Sequence, residues 1–317
     1  MNFLVLQSLI PVILLIAIGF IASRASWLRA ESVKDLSTVM FLVLTPALMF
    51  RTMSRVHLAQ LNLMPIAAYF TAALLLFGLV VWQGRGTRQA AARAISASFG
   101  NTVAIGIPLV GLAFGEAALV TLFTIVAVHA LILLTLTTVV FELAVAREDA
   151  RAWAGEGRHV AANILLAAKN GVLNPATTPT LLGLLFATTG LDLPGPLDNT
   201  LKLLASAMGP VALLLVGAAL QGSRVGEQLK GALQLTLLKN LVLPALVAVS
   251  GWAWGLRGLT LTVMVVAASM PIGANAFMFA QRYNVAQDLV TAGVAVSTVL
   301  GLLTVSVVMA LATGFIS

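Results

Sequence analysis

The chain has 317 residues, of which 60% are hydrophobic and 9% are charged, and its mean hydropathy is +1.03. Because soluble domains carry roughly 25% charged residues, this composition excludes a water-soluble fold. The formal net charge is +7, but the basic residues stand between apolar runs, which indicates membrane topology rather than binding to nucleic acid.

The first apolar run covers residues 3–22, and no Lys or Arg precedes it. The first positive charge, Arg24, follows the run, whereas a secretory signal carries its positive charges before the apolar core. The run is also longer than the roughly 7–15 residues of a cleavable core. We therefore predict that it stays in the mature protein as a membrane-spanning helix.

Nine further apolar runs follow, and each is long enough to cross the roughly 30 Å of hydrocarbon in a bilayer. Backbone that is irregular and faces lipid would leave its amide groups without hydrogen-bond partners, so each run is expected to be helical. The predicted fold is therefore an all-α membrane protein with ten transmembrane helices. The ten spans are predicted at residues 3–22, 34–53, 63–82, 94–114, 117–143, 167–187, 200–221, 232–254, 260–280 and 288–314.

The distribution of Lys and Arg predicts the orientation of these spans. The connections after the odd-numbered spans hold 13 of the 18 basic residues, the opposite connections hold 4, and Lys239 lies within a span. Basic connections stay in the cytoplasm, so we predict an inner (plasma) membrane protein with both termini outside the cytoplasm.

Sequence motifs that recur in the second half of the chain indicate that it consists of two related halves. The motif GNTVAIGIP, which starts at Gly100 in span 4, is echoed by MPIGANAF, which starts at Met270 in span 9. An odd number of helices in each half turns the second copy upside down, which is the inverted-repeat construction of secondary transporters. The predicted repeats are residues 1–157 and 158–317. Three further markers, Pro11, Gly19 and Pro46, recur 164 residues later as Pro175, Gly183 and Pro210.

Spans 4 and 9 are the predicted substrate site, because Gly and Pro interrupt both at corresponding places. We expect both helices to break and to cross near the bilayer centre. Each half-helix N-terminus carries roughly +0.5 of a charge, so two of them favour an anion. Each of these spans also contains an asparagine, Asn101 in span 4 and Asn275 in span 9. The alternative to substrate binding by these residues is a hydrogen bond between helices. The predicted substrate-binding positions are Ser98, Gly100, Asn101, Thr102, Pro271, Gly273, Ala274 and Asn275, with Thr45 of span 2 added.

Three further polar residues are candidates for proton or ion coupling. His129 lies well inside span 5, where an interhelical hydrogen bond is the alternative to a proton relay. Lys239 lies about 10 Å into span 8, and we expect its ammonium group to extend to the cytoplasmic interface. Gln281 follows the predicted break in span 9. All eleven Asp and Glu residues lie in connections or near span ends, which disfavours a carrier for cations alone.

Enzymatic chemistry is not predicted, because the metalloprotease, nucleophile-elbow, Walker A and dinucleotide motifs are missing. The sequence has no cysteine, and its three histidines lack the spacing of a zinc site, so neither a cofactor nor a metal is expected.

Five segments, in their order and spacing, point to a known family. They are IPVILLIAIGFIASR, LTPALMF, GNTVAIGIP, NPATTPTLLGLLF from Asn174, and MPIGANAF. In these segments the sequence resembles the auxin efflux carrier family, whose bacterial members include carriers of malonate and other dicarboxylates. This resemblance implies that spans 1, 2, 6 and 7 form a scaffold and dimer surface, and that spans 3–5 and 8–10 form a moving transport unit. It also implies an organic anion bound where spans 4 and 9 cross, beside Asn101 and Asn275.

The predicted function is therefore secondary transport of a small carboxylate, such as malonate or another dicarboxylate, by alternating access. A homodimer in the bilayer is implied, and nucleic acid is not an expected partner. Two alternatives remain open: a sodium-coupled symporter for organic acids with the same fold, and a membrane sensor or assembly subunit that binds its ligand without moving it.

Overall fold

The computed structural model describes residues 2–55, 63–152, 177–222, 225–312 and 314. Within these ranges the chain is helical and contains no strand, apart from an isolated antiparallel bridge between Gly100 and Ile272. The all-α prediction is confirmed for this part of the chain. The helices are α1 (Asn2–Arg24), α2 (Ala30–Val39), α3 (Thr45–Ser54), α4 (Leu63–Gln83), α5 (Arg88–Ser98), α6 (Ile107–Phe114), α7 (Glu116–Ala152), α8 (Thr177–Ala187), α9 (Gly195–Gly222), α10 (Val225–Leu237), α11 (Leu243–Ala253), α12 (Gly258–Ala268), α13 (Ala274–Arg282) and α14 (Gln287–Ala312).

Six stretches of helix in the described ranges are long and apolar enough to cross a membrane, which supports a multi-pass membrane protein. The sequence predicts ten spans, which is four more than these six stretches. Predicted span 6, at residues 167–187, lies largely outside the described residues, and only α8 represents it. The six stretches are Glu31–Ser54, Leu63–Gln83, Ala117–Glu148, Gly195–Gln221, Gly226–Ala253 and Gln287–Ala312.

Several helices extend beyond their predicted limits, and those of spans 4 and 5 are examples. The helix of span 4 begins at Arg88 rather than at residue 94, because the Thr87 hydroxyl caps it by accepting a hydrogen bond from the Ala90 amide at 3.2 Å. The helix of span 5 continues to Ala152 rather than ending at residue 143. Residues 144–152 are Ala-rich with Arg and Glu, and such residues favour helix even where they are too polar to lie in lipid.

Within the described residues, three π-helical turns interrupt the long helices, and each ends two residues before a proline. They cover Met40–Leu44, Thr102–Gly106 and Leu238–Val242, and the prolines are Pro46, Pro108 and Pro244. A proline lacks an amide hydrogen and its ring clashes with the carbonyl four residues earlier, which lies inside the turn in each case. The wider turn relieves this clash, and the amide after each turn bonds to the carbonyl five residues before it.

Helices α1 and α9 lie backbone against backbone. A Cβ atom added at Gly19 would lie 1.9 Å from the Leu214 carbonyl oxygen, and one added at Gly217 would lie 1.9 Å from the Ile16 oxygen. Small residues permit this approach, which is how helices gain contact in a membrane where lipid weakens the hydrophobic driving force.

The two interrupted helices lie in the middle of the molecule. Every residue from 261 to 280 is buried, and so is every residue from 94 to 100. The helix breaks are therefore enclosed by protein, as irregular backbone within a membrane must be.

Candidate functional site: a helix crossing beside an apolar cavity

The interruptions of spans 4 and 9 meet and bond to each other. The Asn101 amide donates to the Pro271 carbonyl at 2.8 Å, and the Gly273 amide donates to the Phe99 carbonyl at 2.9 Å. These two bonds flank the bridge between Gly100 and Ile272. Backbone groups that each helix loses at its break are thus satisfied by the other helix. The predicted break and crossing of these helices are confirmed.

The crossing leaves no room for side chains at two glycines. A Cβ atom at Gly273 would lie 2.8 Å from the Phe99 ring and 3.1 Å from the Gly100 carbonyl. A Cβ atom at Gly100 would lie 3.1 Å from the Lys239 Nζ. Two backbones can approach this closely only where a side chain is missing.

The π-helical turn Leu238–Val242 and helix α14 hold the crossing from behind. The Ile272 amide donates to the Ser297 hydroxyl at 3.1 Å, and the Asn240 amide group donates to the Ser297 carbonyl at 3.1 Å and to the Thr304 hydroxyl at 3.0 Å. The sequence interpretation missed Ser297 and Asn240. The adjacent Lys-Asn pair at 239–240 could have indicated a buried polar contact, because it lies in the middle of an apolar span.

The prediction for the Lys239 side chain was wrong. Its ammonium group does not reach an interface: it is fully buried and donates to the carbonyls of Ala268, at 2.5 Å, and Met270, at 2.8 Å. These carbonyls stand at the C-terminal end of α12, where the helix break leaves them without helical partners. A helix C-terminus is negative, so it attracts the cation into the protein rather than toward water.

Both half-helices that follow the crossing start beside each other. Asn101 precedes the turn that begins at Thr102, and Gly273 precedes α13 in an extended conformation, with φ −72° and ψ 146°. The positive ends of these two half-helices therefore lie at the crossing. Asn275 lies in the first turn of α13, is only 8% exposed, and its Oδ1 atom has no hydrogen-bond partner in the part of the chain that the structure describes.

A cavity of about 280 Å³ adjoins the crossing. Its remaining wall is largely apolar and includes Leu48, Met49, Val126 and Met208. None of the Asp, Glu, Lys or Arg residues in the described ranges lines it. The predicted site residues that do line it are Gly100, Asn101, Thr102, His129, Gly273, Ala274 and Asn275.

The other predicted site residues lie outside this cavity. Ser98 donates to the Ala94 carbonyl of its own helix, and Pro271 contributes its carbonyl to the crossing. Thr45 is fully buried and donates to the Met40 carbonyl. Gln281 lines a separate depression, with Lys34 and Arg282, at the end of the molecule that carries the basic connections. Lys239 lies behind Gly100.

His129 contributes an imidazole ring to the cavity wall. The residue is 3% exposed, and neither ring nitrogen has a hydrogen-bond partner among the described residues. Its ring centroid lies 4.5 Å from that of Phe99, 5.8 Å from that of Tyr69 and 6.2 Å from that of Phe70. The ring is thus surrounded by aromatic side chains, which offer its two nitrogens no conventional hydrogen bond.

The cavity extends toward the end of the molecule that lacks the basic connections. Thr52 of α3 and the exposed Ser206 of α9 line it there. Beyond them, Arg51 binds Asp198 with an N–O distance of 3.0 Å, and Arg55 binds the same carboxylate at 2.5 Å. These ion pairs join the C-terminal end of α3 to the first turn of α9.

A layer of aromatic side chains closes the opposite side of the crossing. Phe279 contacts Phe41 edge to face, with centroids 6.2 Å apart, and Phe141 stacks on Tyr283 at 4.2 Å. The Tyr283 hydroxyl donates to Glu142 at 2.9 Å. We refer to Phe41, Phe141, Phe279 and Tyr283 as the aromatic layer. None of these four side chains lines the cavity.

In the described part of the chain, no three His, Asp or Glu side chains lie close enough together to hold a metal ion.

Comparison with known proteins connects this architecture to transporters. The chain is 28% identical to auxin efflux carrier component 8 of Arabidopsis thaliana over 231 residues, which are 61% of this chain and 63% of that protein. It is 25% identical over 302 residues to an uncharacterized transporter of Methanothermobacter thermautotrophicus, covering 93% of this chain and 94% of that one.

A third relative, of Rhizobium meliloti, is named "Putative malonate transporter" and is 26% identical over 307 residues, which are 94% of this chain and 92% of that protein. The model of a family described as "Membrane transport protein" matches residues 4–309. Members of this family are transporters and not enzymes. The chain therefore belongs to the membrane transport protein family, together with the auxin efflux carriers that it resembles.

Proposed function

We propose that this protein is a secondary transporter that moves a small organic anion across the inner membrane by alternating access. The observation that carries the proposal is the crossing of two broken helices beside a cavity of about 280 Å³. At ~30 Å³ for each water molecule, the cavity has the volume of about nine waters, which is enough for a small carboxylate.

Electrostatics favour an anion in this cavity. Two half-helix N-termini contribute roughly half a positive charge each, and the Asn101 and Asn275 side chains supply amide donors. A crossing of two broken helices also brings two negative C-termini to the same place. The buried Lys239 neutralises the one at the end of α12, which leaves the positive ends dominant.

The proposed architecture has ten spans in two inverted repeats, residues 1–157 and 158–317. Spans 1, 2, 6 and 7 form the scaffold and the surface of a homodimer, and spans 3–5 and 8–10 form the transport unit. The close contact of α1 with α9 supports a rigid scaffold, because these helices belong to spans 1 and 7.

Alternating access then requires the transport unit to move relative to α3 and α9. With the basic connections in the cytoplasm, the cavity faces the outside, and the aromatic layer closes the path to the inside. Movement of Phe279 and Tyr283 away from Phe41 opens the inner path while the mouth at Thr52 closes.

The relatives named as a malonate transporter and as auxin efflux carriers support a carboxylate as the substrate. We propose malonate or a similar small organic acid, since the cavity has no carboxylate of its own among the described residues to repel it.

The proposal is tested by replacing both Asn101 and Asn275 with Ala and measuring uptake of carbon-14-labelled malonate into proteoliposomes. We expect uptake to be lost while the protein stays folded in detergent. Asn199→Ala is the matched control, because Asn199 is exposed and lies outside the cavity. Uptake by the double variant at the wild-type rate would refute the assignment of the site.

The same assay separates the two alternatives. Uptake that requires sodium would identify a sodium-coupled symporter. Binding of malonate that stabilises the protein, without any flux, would identify a sensor or assembly subunit.

A further inference from the structure

We propose that His129 takes up a proton together with the anion, so that the transporter moves an organic anion and a proton in the same direction. This inference rests on the proposed function and names its coupling ion. Three observations support it. The His129 ring lies in the cavity wall, its nitrogens have no hydrogen-bond partner among the described residues, and the buried Lys239 lies behind Gly100 of the same wall.

The bonding state of His129 is the first argument. Buried polar groups nearly always have hydrogen-bond partners, and an exception requires an explanation. Neither nitrogen of His129 has such a partner in the described ranges, although the side chain is 97% buried. Since the ring lines the cavity, a ligand there would supply the missing partners. A neutral imidazole offers one donor and one acceptor, and a protonated one offers two donors.

The surroundings of His129 are the second argument. Among the described residues His129 is the titratable side chain that lines the cavity. On the helices packed against α7, the titratable groups are Tyr69 on α4, Arg88 and Arg93 on α5, and Arg51 on α3, whereas α6, α8 and α12 carry none.

Most of these groups have other roles or lie elsewhere. Arg51 binds Asp198 in the first turn of α9, and Arg88 binds Glu148 at the other end of the molecule. Arg93 is exposed. Tyr69 contributes an uncharged hydroxyl 5.8 Å, centroid to centroid, from the imidazole.

The nearest acids along α7 are Glu116 and Glu142, each thirteen residues from His129. At 1.5 Å per residue this separation is about 20 Å, and the Glu142 carboxylate already accepts a hydrogen bond from Tyr283. Along α7, therefore, no acid lies close to His129, and no Asp or Glu of the described residues lines the cavity.

The buried cation Lys239 lies behind Gly100, which lines the same cavity as His129. In an empty cavity, a protonated His129 would be a second buried cation beside Lys239, with no anion to balance it. A carboxylate in the cavity supplies that balance. Binding of the anion and binding of the proton then favour each other, and this coupling is reciprocal by thermodynamic necessity.

The direction of coupling follows from the position of the cavity. While it faces outside, both the anion and the proton enter from the same compartment. Lower external pH then strengthens anion binding, by up to about tenfold for each pH unit if one proton is obligatory. A proton gradient directed inward thus drives accumulation of the anion.

The test uses the full-length protein in proteoliposomes that contain a trapped fluorescent pH indicator, with the membrane potential clamped by potassium and valinomycin. Two labelled probes are used in turn: malonate and the aromatic monocarboxylate indole-3-acetate. For the wild type we expect one proton to enter with each anion. For His129→Gln, which keeps hydrogen-bonding groups but does not titrate, we expect a reduced flux that moves no protons and does not depend on pH.

Thr138→Val is the matched control, because Thr138 is buried on the same helix, donates to the Leu134 carbonyl and lies outside the cavity. It should keep the proton-to-anion ratio of the wild type. If His129→Gln does not fold, His129→Asn replaces it, and calorimetry of malonate binding to the wild type in two buffers of different ionisation enthalpy counts the protons taken up.

Two results would overturn the inference while leaving the proposed function intact: wild-type uptake without proton entry, or an unchanged proton-to-anion ratio in the His129 variants. A wild type that neither binds nor moves either probe would instead contradict the proposed function, and this inference with it.

Discussion

Replacement of Gly273 by Ala tests whether the close approach of the two backbones creates the site. The added Cβ atom would lie 2.8 Å from the Phe99 ring and 3.1 Å from the Gly100 carbonyl, whereas ordinary contacts begin at 3.4 Å. The Phe99 ring must therefore move by about 0.6 Å, and the two backbones must separate by about 0.3 Å. Gly273 has φ −72° and ψ 146°, which any residue adopts, so the effect is purely steric.

The size of the effect follows from this overpacking. A separation of about 0.3 Å would lengthen the crossing bonds of 2.8 and 2.9 Å to about 3.1–3.2 Å, which weakens them without breaking them. Overpacking costs about 1–3 kcal/mol. The expected loss in the free energy of unfolding is therefore about 1–3 kcal/mol, or at least about 2 °C in Tm at roughly 2 °C per kcal/mol.

Thermal unfolding of the purified protein in detergent measures this loss, and malonate uptake should fall with it. Gly209→Ala is the control, because Gly209 lines the same cavity but a Cβ atom there would have no neighbour within 4 Å. If Gly273→Ala melts at the same temperature as Gly209→Ala and transports as well, the steric argument is refuted.

Two further predictions concern charge and orientation. Lys239→Met should weaken malonate binding by about ten- to thirtyfold, since a cation at a helix C-terminus contributes up to about 2 kcal/mol. Lys202→Met is the control, because Lys202 is exposed and its replacement should leave the Kd of malonate unchanged. Equal affinities of the two variants would exclude Lys239 from the electrostatics of the site. Because the chain has no cysteine, Ser206→Cys and Gln281→Cys can be labelled without background. A membrane-impermeant maleimide added outside intact cells should modify Ser206→Cys and not Gln281→Cys, and the reverse pattern would invert the proposed topology.

The crossing could be predicted from the sequence because its causes are residue types with fixed backbone properties. Gly100 and Gly273 allow the close approach, and Pro108 and Pro271 cannot continue a helical hydrogen-bond pattern. These properties belong to single residues, so the matching motifs in spans 4 and 9 were sufficient.

The position of Lys239 could not be predicted in this way. Its partners are the carbonyls of Ala268 and Met270, 29 and 31 residues further along the chain, and every residue type carries a carbonyl. Only the fold brings these groups to the ammonium. His129 is a similar case, because its neighbours Tyr69 and Phe99 come from other helices. The sequence thus indicated that these residues were unusual, but not what surrounds them.

The bonds at the crossing join main-chain atoms only, and this has a consequence for how such proteins diversify. Asn101 and Gly273 donate through their amides, and Phe99 and Pro271 accept through their carbonyls. A change of side chain on the cavity wall, at Val126 or Met208 for example, leaves these four groups untouched. New substrates can therefore evolve by substitution around a junction that itself needs no redesign, which suits a family whose members share about a quarter of their residues with this chain.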